Sequence, residues 1–264
     1  MVKNPDPAIY NRKFFDTFYP SKGPIAEEIE AREKRALEFL KPRNKKLLDI
    51  GCGFGGLVFK AAGMGAECIG TDYSKEAVGL ALEKKRRLPK RIGSKVDFRV
   101  MDAINLEFKD EFFDAAVSID TIEHIYPKPL EKAFMELDRV VKKGGIIVIR
   151  TAPNVFFEAP FHILGKIILR KKELETEKYH VNLHNVISLR KYTKLVNGRT
   201  NIYLFNDGKQ HFSTKIGQMK IPDFVKATAR IIDGLLDSKI GTRLATESPL
   251  KVVLGRDIWI IIQK

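Results

Sequence analysis

The stretch Leu47–Gly56, LLDIGCGFGG, decides the reading of this chain. A short apolar run, Lys46–Ile50, passes directly into Gly51, Gly53, Gly55 and Gly56, and a helical pattern follows over 56–63. In a strand–glycine turn–helix unit, bare backbone lets a ligand lie close and the helix N-terminus offers N–H donors to polar groups. By its glycines alone the turn serves two kinds of ligand. Gly51, Gly53 and Gly56 also satisfy G-x-G-x-x-G, the dinucleotide fingerprint.

The pattern outward from this turn alternates between strands and helices. Glu67–Asp72 reads as a strand, Ser74 as the N-cap of a helix through Lys85, and Val96–Met101 as the next strand. Strand Phe113–Ile119, a helix over Leu130–Val141 and strand Ile146–Thr151 follow. Such alternation implies βαβ units and a parallel sheet, with ligands at the C-terminal ends of the strands. The alternation stops near residue 154.

One domain is expected over 1–264. An N-terminal helical cap over 1–44 contains an amphipathic helix at 24–41, with Ile25, Ile29, Ala36 and Leu40 at helical spacing. The cofactor-binding core takes 45–154, followed by a lid-like insertion at 155–185. The C-terminal half, 186–264, holds a helix, a strand-like NIYLF, an insertion at 207–250 with a helical pattern at 221–238, and a final strand Asp257–Gln263.

Three carboxylates narrow the ligand. Asp49, two residues before the first glycine, would repel a pyrophosphate but suits a cationic amino-acid end. Asp72 ends the second strand about 20 residues on, placed to accept both ribose hydroxyls, a feature that does not discriminate. Asp102 ends the third strand, where an adenine amine could donate to it.

With these residues in place, Asp49–Gly55, DIGCGFG, resembles the first motif of class I S-adenosylmethionine-dependent methyltransferases. The later pieces follow in that family's order: IGTDYS at 69–74, MDA at 101–103, FDAAVSIDTIEHI at 113–125 and LDRVVKKGGIIVIRTAPN at 137–154. Together they cover about residues 45–154, and the phrasing is most similar to the ubiquinone-biosynthesis-type and small-molecule O-methyltransferase branch. The resemblance implies an α/β, Rossmann-like, doubly wound sheet of seven strands, the last antiparallel, with helical insertions.

It also implies roles. Asp49 and the backbone at Gly51 and Gly53, with Gly55 in the same turn, would hold the methionine end of S-adenosyl-L-methionine. Asp72 would take the ribose hydroxyls and Tyr73 would lie on the adenine face. Asp102 would accept from the adenine amine beside the Ala103 N–H. Ser118, Ile119 and Asp120 would border the sulfonium and the methyl acceptor.

The donor is already activated, so the protein mainly orients, excludes water and removes a proton where needed. Candidate catalytic residues are Asp120 and His124 in DTIEHI, with Glu123 beside them, and His180 in KYHVNLHN if that segment folds over the pocket; His184 shares that segment. Absences narrow the acceptor. SIDT stands where amino-methylating nucleic-acid enzymes carry an N-P-P-Y or D-P-P-Y run, and no cysteine lies nearby.

A small molecule acceptor is therefore favoured, methylated on oxygen or nitrogen and plausibly apolar or aromatic. An RNA or protein acceptor held by the basic surface is the alternative. A nicotinamide enzyme or a non-catalytic cofactor-binding regulator is a further reading.

The apolar stretch 156–172 ends in Arg170-Lys171-Lys172, which fits a lid over the acceptor or an interfacial helix at a membrane surface. Tyr10, Phe14, Phe15 and Tyr19 could cover the ligand or simply pack.

Composition sets the frame. The chain has 264 residues, 44% of them apolar, and a net charge of +14 with a cluster at Lys84–Arg91. Such an excess attracts nucleic acid or anionic lipid, or else forms solvated helix ends. Abundant Lys, Glu and Arg also fit a thermophile-like composition with surface ion pairs. No apolar run reaches the roughly 20 residues that span a bilayer, and the polar N-terminus lacks a signal-peptide core, so a cytoplasmic location is expected. Cys52 and Cys68 are read as structural, and no metal site is expected. The oligomeric state is not encoded in any visible pattern.

Overall fold

The structure is a computed structural model. It describes residues 6–10, 12, 31–152, 180–205 and 257–264, with single positions between 223 and 238. Residues 153–179, which include most of the expected lid at 155–185, together with Phe14, Phe15, Tyr19 and most of 207–250, lie outside the described residues.

Strands β1 (Lys46–Ile50), β2 (Glu67–Asp72), β3 (Val96–Val100), β4 (Phe113–Ile119), β5 (Val141–Thr151), β6 (Arg199–Phe205) and β7 (Asp257–Gln263) form one sheet. Its order is β3-β2-β1-β4-β5-β7-β6. The pairings from β3 to β5 are parallel, whereas β7 runs antiparallel between β5 and β6. This is the Rossmann-like seven-stranded sheet with an antiparallel last strand. The strand order reverses between β1 and β4, so the crevice above that switch point is where a ligand fits.

The helices are α1 (Ala31–Leu40), α2 (Gly56–Gly63), α3 (Lys75–Lys85), α4 (Lys90–Gly93), α5 (Pro127–Val140) and α6 (Val186–Thr193). Strand residues alternate between two cores. Leu47, Ala115, Val117, Val148 and Trp259 pack with α1, α2 and α3 on one face. Leu48, Ala116, Ile147, Ile149 and Ile260 pack with α5 and α6 on the other. Near-continuous apolar strands are what burial on both faces demands.

Local signals hold at residue level. The Ser74 hydroxyl accepts from the Ala77 N–H at 3.2 Å and caps α3. Asn185 and Ser188 form a reciprocal capping box on α6. Beyond one-residue shifts at the ends of β3 and α5, the structure departs from the pattern as follows. Helix α5 starts at Pro127 rather than Leu130, because Pro at a first helical position lacks only an N–H that would be orphaned anyway. β5 begins at Val141 and passes an irregularity at Gly144 and Gly145 instead of starting after it. The basic run 84–91 is not one helix end: α3 stops at Lys85 and α4 opens behind Pro89. No helix among the described residues is long and apolar enough to cross a membrane.

Candidate active site

The carboxyl ends of β1, β2 and β4 open into a cavity of about 1190 Å³, its mouth included. The glycine turn forms its floor. Gly51 and Gly53 have φ of +72° and +53°, the left-handed region that side chains disfavour. A Cβ on Gly51 would sit 2.1 Å from the Thr121 hydroxyl, whereas the space over Gly53 is open. Both therefore present bare backbone to the cavity.

Asp49, buried at the end of β1, borders this floor. Burial, then the nearby carboxylates of Asp72 and Glu33, push its pKa up to about 8. All these effects disfavour its charge, so a cationic ligand would be welcome there. Asp72 holds the turn itself: its carboxylate accepts from the Gly53 N–H at 3.0 Å and the Ser74 N–H at 2.9 Å. Burial raises its pKa and those backbone N–H groups oppose the rise. Tyr73 lines the cavity next to it, its hydroxyl pKa pushed up by burial and by Asp72. Asp102 and Ala103 line the far wall, with one Asp102 oxygen accepting from the Ile104 N–H at 3.2 Å. The turn-capping and ligand-facing readings of Asp102 are thus compatible.

The acceptor side is formed by Ile119, Asp120, Thr121 and His124. The Tyr10 hydroxyl lies 3.0 Å from His124 Nδ1, and Tyr10 also packs against Tyr73, with ring centroids 5.8 Å apart. Tyr10 is thus the aromatic of the N-terminal set that reaches the cavity among the described residues.

Four of the expected residues are placed or engaged differently from the others. Ser118 is buried and does not line the cavity, because β4 alternates and turns it away while Ile119 faces the ligand space. Gly55 is also off the wall: its φ of +82° starts α2, and a Cβ there would strike Phe98 at 2.6 Å. Asp120 is not a spare base. It pairs with both Arg32 and Arg150, and Arg150 also meets Asp257 at 2.5 Å. Burial opposes its charge, but the two arginines outweigh that and lower its pKa. His180 packs against His124, with ring centroids 5.1 Å apart, but is not part of the cavity wall.

Glu123 and His184 are buried too. Burial and then Asp120 push Glu123 up to about 8, while the Thr151 hydroxyl donates to it at 2.9 Å. Burial lowers His184 to about 4, so it stays neutral near pH 7.

Two charged residues of the cavity escaped the sequence reading, Arg32 and Glu33 of α1. Glu33 pairs with Lys60 and faces Gly56. A signal existed: Glu33 lies four residues after Ile29 and three before Ala36, on the apolar stripe of its own helix. A carboxylate there faces the body, not solvent.

The sheet and its crevice define a Rossmann-like α/β core of the class I methyltransferase type. Residues 48–149 match the family model described as a methyltransferase domain. Over 112 residues the chain is 43% identical to norajmaline N-methyltransferase of Rauvolfia serpentina, covering 41% of this chain and 36% of that protein. It is 32% identical over 151 residues to the ubiquinone biosynthesis O-methyltransferase of Rhizobium etli, covering 57% and 56%. These matches span about a third to just over half of each relative. A solved S-adenosylmethionine-dependent methyltransferase from Archaeoglobus fulgidus superposes with a TM-score of 0.60 at 20% identity over 96% of this chain and 98% of that one, a likeness of fold.

Proposed function

We propose that this protein transfers a methyl group from S-adenosyl-L-methionine to an oxygen or nitrogen of a small molecule, acting as one domain in the cytoplasm. The observation that carries this reading is the convergence of Asp49, Asp72 and Asp102 on one cavity over the bare backbone of Gly51 and Gly53. The residues fit the donor. Asp49 would meet its ammonium, Arg32 its carboxylate, Asp72 its ribose hydroxyls, and Tyr73 and Asp102 its adenine. A pyrophosphate ligand would gain no such match, since the buried acids would have to stay protonated beside it.

When bound, the donor supplies an electrophilic methyl on a sulfonium. The chain supplies orientation between Ile119 and the glycine turn, and a proton acceptor in His124. In the tautomer whose Nδ1–H donates to the Tyr10 oxygen, Tyr10 positions that imidazole with Nε2 unprotonated for the acceptor's proton. Asp120, neutralised by two arginines, holds Arg32 and Arg150 in place and takes no part in proton transfer. The cavity wall near His124 combines Ile119, Ile125 and Tyr10, which suits an apolar or aromatic acceptor.

Calorimetric titration with S-adenosylhomocysteine and NAD tests the ligand: the former is expected to bind and the latter not. NAD binding more tightly would overturn the reading. A screen of phenols and amines with methyl-labelled donor tests the reaction. Against any acceptor found, His124→Asn is expected to lower kcat by roughly 10²–10⁴ with S-adenosylhomocysteine affinity retained. An unchanged kcat would remove His124 from the chemistry.

A further inference from the structure

The opposite edge of the sheet carries a different chemistry. At the amino ends of the strands, Lys95 precedes β3, Lys41 and Arg43 precede β1, Lys143 lies in the first turn of β5, and Lys90 and Arg91 belong to α4. All are exposed, and none has a carboxylate partner among the described residues. Some of their neighbours on this edge are paired. Asp114 accepts from Lys142 at 2.6 Å and from the Lys46 N–H at 2.8 Å, and Asp138 accepts from Lys264 at 3.1 Å. Glu67 at the start of β2 and Glu111 before β4 are exposed acids of the same edge, and the six named cations outnumber them.

Basic residues in a helix's last turn commonly offset the negative end of its dipole. Lys84 and Lys85 in α3 and Arg139 in α5 serve that purpose. Lys41 directly follows α1, and Lys90 and Arg91 lie in the last turn of α4, so the dipole accounts for those three in part; Arg43, Lys95 and Lys143 lie beyond the helix ends. Between them lies a shallow hollow of about 640 Å³, lined by Lys41, Lys45, Lys142, Lys143 and the backbone of Gly144, with the paired Asp114 also in its wall.

We infer that this amino edge binds the phosphodiester backbone of a nucleic-acid duplex, independent of sequence and remote from the methyl-transfer cavity. The geometry favours a duplex over other polyanions. From β3 to β5 the edge spans four strand spacings, roughly 19 Å, the rise of about five or six base pairs. The cations follow that line. A bilayer would call for exposed apolar anchors, and along this line Met64 is the exposed large apolar side chain among the described residues. Single strands call for exposed aromatic platforms, and no described aromatic is exposed along this line: Phe112 lies beneath Lys46, and Phe39 is only partly exposed. The strands separate this edge from the cavity, so the duplex is a tether rather than the acceptor.

The test is fluorescence anisotropy with a labelled duplex of about 24 base pairs, as DNA and as RNA, across a salt series. Binding is expected to weaken by roughly a hundredfold between 50 and 200 mM salt, the slope of about four phosphate contacts. The variant Lys41→Gln/Arg43→Gln/Lys143→Gln is expected to lose at least tenfold in affinity and about three units of salt slope, with S-adenosylhomocysteine binding intact. The pair Lys75→Gln/Lys128→Gln, exposed on the cavity side, should change duplex affinity less than twofold. Absence of duplex binding at 50 mM salt would overturn the inference. So would equal losses in both variants, or tighter binding to vesicles containing phosphatidylserine than to the duplex. None of these outcomes bears on cofactor binding in the cavity.

Discussion

The two ends of one sheet are built from the same strands, yet they differ in charge and in how that charge is housed. The carboxyl edge buries acids: Asp49 and Glu123 are almost fully enclosed, and Asp72 is held by backbone N–H groups. The amino edge exposes bases, six of them without an ion-pair partner among the described residues. Burying a carboxylate without a cation is costly, and such a cost is usually tolerated where a ligand restores the balance. Exposed lysines cost little and act at a distance. The first edge is therefore built for a specific small cation, the second for a field.

The largest expected effect falls on the carboxyl edge. Asp72→Ala removes the proposed acceptor for two ribose hydroxyls and loosens Gly53, at about 1.5–3 kcal/mol for each charge-assisted bond. S-adenosylhomocysteine affinity should fall at least a hundredfold by calorimetry. Wild-type affinity in that variant would break the assignment of this edge.

A matched pair of glycines sharpens the contrast. Gly51 on the carboxyl edge and Gly144 on the amino edge have φ of +72° and +78°. Gly51→Ala meets both the left-handed strain and Thr121, whereas Gly144→Ala meets only the strain, since nothing lies within 4 Å. Chemical denaturation should show a loss of about 1–2 kcal/mol for Gly144→Ala and more for Gly51→Ala. Only Gly51→Ala should also lose cofactor affinity.

The smallest effect is in pH dependence. Asp49 and Glu123 both sit near 8 in the folded, ligand-free protein, above their unfolded values of 3.8 and 4.5. The folded state thus holds protons that the unfolded chain releases. Stability from these two groups is present below about pH 4 and is lost as pH rises toward 8. The thermal midpoint of the ligand-free protein is expected to fall between pH 5.5 and 8.5. S-adenosylhomocysteine, carrying an ammonium, should release a proton from Asp49 at pH 7. Binding enthalpies measured in buffers of different ionisation enthalpy would detect it. A midpoint that rises over this range would show that neither carboxyl is buried as described.

Much of the carboxyl edge was legible in the chain. Glycine spacing, strand periodicity and the acids at strand ends are local features, and local sterics fix them. LLDIGCGFGG placed β1, the turn and α2 correctly, and Asp72, Asp102 and His124 line the cavity as read. The placements that the sequence left open share one cause. Ser118 and Ile119 are adjacent in sequence, and only the pairing of β4 with β1 and β5 decides which faces the ligand. Asp120 read as a free base because Arg32 and Arg150, the partners that hold it, are 88 and 30 positions away.

By itself, then, the sequence determined the order of the elements, the glycine turn and the carboxylates that select a cation over a pyrophosphate. These depend on residue type and spacing along a few turns of chain. Tertiary structure alone decided which strand residue faces the cavity, which acid is neutralised, and that α1 contributes Arg32 and Glu33 to the wall. It also gathered cations scattered from Lys41 to Lys143 onto one edge. Each of those outcomes depends on distances between residues far apart in the chain, which no local pattern encodes.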